Sequence, residues 1–229
     1  MYVNAGVLFS NAVALYKGVS SLNSAHAQAR RECLASVIFS AISTEAFVNE
    51  LSELARGLGG RSDEPGWVRG LGQVLGAAED SHASIESKYH LARLVVTGQV
   101  FDKGAQTFQD FALLVDLRNI VVHAKPHEVT REQASSGIFP AEDKIIRQLE
   151  QRGVIKSPSP PKGSGSEKVT LITNLLDELS LQSVGRWACN SAAGIVNAVL
   201  DFLQTASPPS ARFSTLADKM FRRDFVFDP

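Results

Sequence analysis

Apolar residues recur at three- and four-residue spacing along almost the whole of this chain, while alternating strand patterns and Asn-Gly hairpin signals are nearly absent. That regularity leaves helix-on-helix packing as the way to bury a core, and it predicts an all-α, up-and-down helical bundle. With 229 residues the chain is long enough to enclose such a core. The spacing predicts one helical domain over residues 1–206 and a separate tail over 207–229.

The helices are bounded by familiar stop signals. The first spans Val3 to Leu22, and a long second one runs from Gln28 to Leu58, where Gly57, Gly59 and Gly60 end it. Shorter helices follow at Trp67–Ala78 and Ser84–Thr97. A strongly apolar one covers Thr107 to about Ala124, closed by Lys125-Pro126 because a residue before proline avoids the α region. Ala141–Arg152, Lys168–Leu179 and Leu181–Thr205 complete the set. Between them, Ser157-Pro-Ser-Pro-Pro-Lys-Gly-Ser-Gly-Ser166 is too rich in proline, glycine and serine to pack, which predicts a mobile insertion over about 153–167. In the last long helix Val184, Trp187, Ala188, Ser191, Ile195, Ala198, Val199 and Phe202 form one apolar stripe, and Ser191-Ala-Ala-Gly194 suits the close approach of another helix. The tail carries Phe213, Phe221, Phe225 and Phe227, which calls for docking on the body or on a second subunit.

Composition narrows the function. Lys+Arg 23 against Asp+Glu 24 gives no global attraction for a polyanion, so any nucleic-acid contact has to be local. Apolar runs short of the roughly 20 residues that span a bilayer, and a start without a basic leader, point to a cytoplasmic protein that makes no membrane contact. Cys33 and Cys189 lie too far apart in sequence for a Cys-x-x-Cys site and read as core residues. His26, His82 and His90 lack ligand spacing, so no metal site is expected, and no cofactor motif is present: the Gly57–Gly60 and Gly163–Gly165 clusters do not follow strands, and no Gly-x-Ser-x-Gly elbow occurs.

What stands out is a set of polar residues on core faces. Glu45 falls on the stripe Leu34, Val37, Ile38, Ala41, Val48, Leu51 of the second helix, where a carboxylate must find partners or stay protonated. Asn49, one turn on, can supply a hydrogen bond, and Arg118 can supply a charge. Arg118 itself sits among Phe108, Phe111, Val115 and Val122, while Asp116, Asn119 and His123 form a separate polar stripe. From Arg118 to His123 an unbroken helix turns about 140°, so the two converge only if the helix loosens or two copies meet. In a last helical turn the free carbonyls favour imidazolium, which keeps a histidine such as His123 near the range where it gives and takes protons.

With Arg118-Asn119-Ile-Val-Val-His123 late in a core helix, and Ser43-Thr-Glu45-Ala-Phe-Val-Asn49-Glu50 upstream, the chain resembles the HEPN superfamily (higher eukaryote and prokaryote nucleotide-binding domains) of helical-bundle proteins. The resemblance covers residues Gln28 to Thr205. It implies a metal-independent endoribonuclease of toxin–antitoxin or phage-defence type, active as a homodimer whose motif helices line one cleft, with a cognate antitoxin protein as a further partner. Its catalytic residues would be Arg118, Asn119 and His123, supported by Glu45, Asn49 and Asp116, with Lys125 and His127 contacting RNA beside them. The expected products are 2′,3′-cyclic phosphate and 5′-hydroxyl ends. Two other readings stay open: a HEPN-like binding or dimerisation module partnered by a nucleotidyltransferase-type protein, and an ordinary scaffold in which Arg118 pairs with Glu45 and His123 caps a helix.

Overall fold

The computed structural model describes residues 4–20, 27–123, 141–155, 179 and 181–227. Within them the chain is all-helical: eight helices and no strand. They are α1 (Asn4–Ser20), α2 (Ala27–Leu58), α3 (Gly66–Asp80), α4 (Ile85–Thr97), α5 (Gln106–His123), α6 (Ala141–Gln151), α7 (Gln182–Gln204) and α8 (Ala211–Phe221). All of the expected helix Lys168–Leu179 but Leu179, and most of the insertion over 153–167, lie outside the described residues.

α2 is the axis of the bundle, with α1, α3, α5 and α7 packed around it. Its Val37, Phe47, Val48, Leu51 and Ala55 are all but fully buried, as the helical spacing requires. Among the described residues one helical stretch, Arg31–Leu58, is long and apolar enough, by length and composition only, to cross a membrane. Half of its most apolar window is buried within the bundle, which is how the central helix of a helical core also reads.

Local chemistry sets the ends of α4. Ser84 caps its start, its hydroxyl accepting from the Ser87 amide at 3.2 Å. Gly98 closes it at φ +73°, in the left-handed region, with its N–H on the Leu94 carbonyl at 2.8 Å. α6 is tied to the start of α5 by Arg152, whose Nε donates to Asp110 at 2.6 Å.

Small residues line the contacts of the central helices. At the α2–α7 contact, Ser36 and Ser40 each lie 3.6 Å from the Cys189 sulfur, and Cys33 donates to the Leu181 carbonyl at 2.9 Å. A Cβ added at Gly194 of the Ser191–Gly194 run would lie 3.6 Å from Thr107 Cγ2, an ordinary van der Waals distance. α2 and α3 approach closely at Gly72 of α3, where a Cβ would meet the Arg56 backbone nitrogen and Cγ at 2.8 Å each, and at Gly59, where a Cβ would meet the Arg69 Cα at 2.6 Å.

The C-terminal segment closes the core on this same chain. Ser210 caps α8 through the Phe213 amide at 3.0 Å, and Phe213, Phe221 and Phe225 are fully buried. Phe225 stacks on Phe9 of α1 at 4.6 Å, Phe221 meets Phe47 of α2 edge-on at 4.8 Å, and Phe213 meets Trp67 of α3 at 5.6 Å. Trp67 also donates its indole N–H to the Pro208 carbonyl at 2.8 Å.

Candidate functional site

The site is built where α5 crosses α2. Phe108, Phe111, Leu114 and Leu117 anchor α5 in the core, and one residue on from Leu117 the side chain of Arg118 turns toward the rim. Its Nη2 donates to Glu45 Oε2 at 2.9 Å and its Nη1 to Asn119 Oδ1 at 2.9 Å. This is the partner that helical spacing proposed for Glu45, but the environment differs: the side chains of Arg118 and Glu45 are 29% and 40% exposed. The pair is therefore at the edge of the core, where water still reaches both charges, and the picture of a carboxylate needing rescue inside an apolar stripe is corrected.

Asn119 and Asp116 are exposed. The charge of Asp116 is felt across the helix gap by Glu86 of α4, whose carboxyl is pushed up first by burial and then by Asp116. His123 is the final residue of α5, five positions beyond Arg118, and its side chain lies outside the described residues. Lys125 and His127 lie outside them too.

Asn49 belongs to a different set of contacts from the one expected. Its Oδ1 accepts from Lys88 Nζ at 3.3 Å, and Lys88 also bonds the Glu79 carboxylate. Lys88 is only 5% exposed, the single charged residue buried among those described. The sequence carried the signal: Lys88 lies on the buried face of α4 with Tyr89, Ala92 and Val96, the same pattern that drew attention to Glu45. Tyr89 is fully buried, and its hydroxyl donates to the Thr44 carbonyl at 2.9 Å. Burial, outweighing that hydrogen bond, pushes its phenol well above the usual range.

Chemically, the described part of the site offers one guanidinium held in place from two sides. Glu45 and Asn119 take one donor from each terminal nitrogen, and a guanidinium has five. Such a group suits bidentate binding of a phosphate or carboxylate oxygen pair. Among the described residues no group of three or more His, Cys, Asp or Glu is arranged to hold a metal ion.

No protein-family model, no curated protein and no solved structure matches the chain. The reading of the site therefore rests on its own residues.

Proposed function

We propose that this protein is a metal-independent endoribonuclease of HEPN type, active as a homodimer in a toxin–antitoxin or phage-defence setting. The observation that carries the reading is Arg118: a fixed, partly exposed guanidinium late in a core helix, braced by Glu45 and Asn119, with His123 at that helix's end. An arginine held by two groups of its own chain is pre-organised for an anion arriving from solvent.

In this reading His123 acts as general base on a ribose 2′-hydroxyl or as general acid on the departing 5′-oxygen. Arg118 stabilises the charge that develops on the phosphoryl oxygens, and Asn119 orients the phosphate or the arginine. The 2′-oxygen attacks phosphorus as the P–O5′ bond breaks, leaving a 2′,3′-cyclic phosphate and a 5′-hydroxyl. The turn of about 140° between Arg118 and His123 on one helix is the reason a second copy enters, since motif residues from two helices can face one cleft. DNA, lacking the 2′-hydroxyl, is spared.

The test is incubation in EDTA with end-labelled single-stranded and structured RNA, beside an Arg118→Ala/His123→Ala variant whose fold is checked by circular dichroism. Cleavage to cyclic-phosphate ends by the wild type alone supports the reading. A wild type that leaves every RNA intact, alone and with its cognate partner, refutes it. One observation favours a second reading, a silent HEPN-like binding module: Arg118 is already paired within its own chain. That module binds its protein partner equally well with and without Arg118.

A further inference from the structure

We infer that Lys88 and Tyr89 of α4 are positioning residues for Arg118, acting through the turn of α2 that carries Glu45. The inference deepens the nuclease reading and rests on it only for its catalytic consequence.

Three contacts converge on that turn. The Tyr89 hydroxyl donates to the carbonyl of Thr44, the residue just before Glu45. Lys88 donates to Asn49, one helical turn after Glu45. Glu45 in turn holds Arg118. The turn is thus clamped by α4 on both sides of the carboxylate that fixes the guanidinium.

Tyr89 also reaches the other helix of the site. Its ring lies 4.6 Å from that of Phe111 on α5 and 6.4 Å from that of Phe47 on α2, so one side chain sets the spacing between the helices that supply Arg118 and Glu45. Burying an ammonium and a phenol hydroxyl side by side is costly, and ordinary core residues would fill the same space. What these two add is direction, because each places a hydrogen bond on a particular atom of α2. An active-site group has to be held to within about half an ångström, and this clamp supplies that restraint from behind the site.

The experiment observes Arg118 directly. In ¹H–¹⁵N spectra of the guanidinium groups, the Arg118 Nη protons give separate signals when its hydrogen bonds slow rotation about the Cζ–Nη bonds; Glu45→Ala marks the released state. Tyr89→Phe keeps the ring and removes only the donor, and Lys88→Met keeps the stem and removes the charge. The expected result is that both variants fold, by circular dichroism, and that the Arg118 signals collapse toward those of Glu45→Ala. Wild-type Arg118 signals in a folded Tyr89→Phe protein overturn the inference, and that variant decides alone if Lys88→Met does not fold. In the RNA assay the clamp variants should lose about 10- to 100-fold in kcat with KM unchanged, a loss that unfolding alone would produce only if most of the protein were visibly unfolded by circular dichroism. A wild type that cleaves no RNA removes the nuclease reading, and the spectra still decide whether α4 positions Arg118.

Discussion

Replacing Arg118 by alanine separates a core ion pair from a rim one. If the pair with Glu45 were sealed in the core, removing one partner would strand a charge and cost about 3–5 kcal/mol. The structure argues for much less. With 29% of the arginine side chain and 40% of the glutamate exposed, the abandoned carboxylate is rehydrated where it stands. Exposed pairs couple by about 0.2–1 kcal/mol, and a partly covered pair belongs near the top of that range. Loss of packing along the arginine stem adds about 1 kcal/mol. Arg118→Ala should therefore cost about 1–2 kcal/mol, a fall in Tm of roughly 2–8 °C for a chain of this size. Urea denaturation of the wild type, Arg118→Ala, Glu45→Ala and the double variant gives the coupling energy, expected at about 0.5–1 kcal/mol. A coupling above about 2 kcal/mol, or an Arg118→Ala protein that does not fold, would refute the placement of this pair at the rim. A coupling of zero would show that the two side chains do not meet in solution.

Three further outcomes follow from other parts of the molecule. Gly72→Ala should destabilise by about 1–3 kcal/mol in denaturant titration, because the added methyl meets the Arg56 backbone at 2.8 Å, and a neutral result would mean that α2 and α3 are further apart than described. Glu50 accepts from the Asn4 and Ala5 amides at 2.5 and 3.1 Å, yet burial holds its carboxyl above the usual 4.5. A raised folded value favours the folded state at low pH, and that advantage is lost as pH climbs from 4.5 through the folded value; Glu50→Gln should flatten this part of the stability–pH curve, and an unchanged slope would count against the burial of Glu50. Finally, Cys33 and Cys189 are buried and free, with the Cys33 thiol pushed up to about 11 by burial, so a thiol reagent at pH 8 should label neither until the protein is unfolded. Rapid labelling of the native protein would contradict that burial.

Helix boundaries were legible because they rest on local chemistry. The glycines that end α2 act within a few residues of themselves, as do the Ser84 and Gly98 caps that the structure shows on α4, and α1 to α7 end within about two residues of where the spacing puts them. Burial of charged groups was less legible, because it depends on what the next helix brings. Glu45 shares a face with Val48 and Leu51 but meets Arg118 of α5 at the edge of the core, where its side chain stays partly exposed. Lys88 has the same kind of spacing and is sealed, because Glu79 of α3 and Asn49 of α2 both reach it. Asn49 shares the face of Glu45, but the donor it meets is Lys88 of α4, 39 residues further along the chain. The tail posed the opposite problem, since its phenylalanines announced burial without naming a surface, and only the folded chain identifies α1, α2 and α3 as that surface.

The stacking of Phe9 on Phe225 has a consequence for how this protein comes into being. These two rings lie more than 200 residues apart along the chain. Until residue 225 has left the ribosome, the inner face of α1 lacks part of its cover, and no amount of local helix formation can supply it. Between the synthesis of Phe9 and that of Phe225 the nascent chain must carry an unfinished apolar face, the interval in which aggregation or a holding chaperone would compete for it.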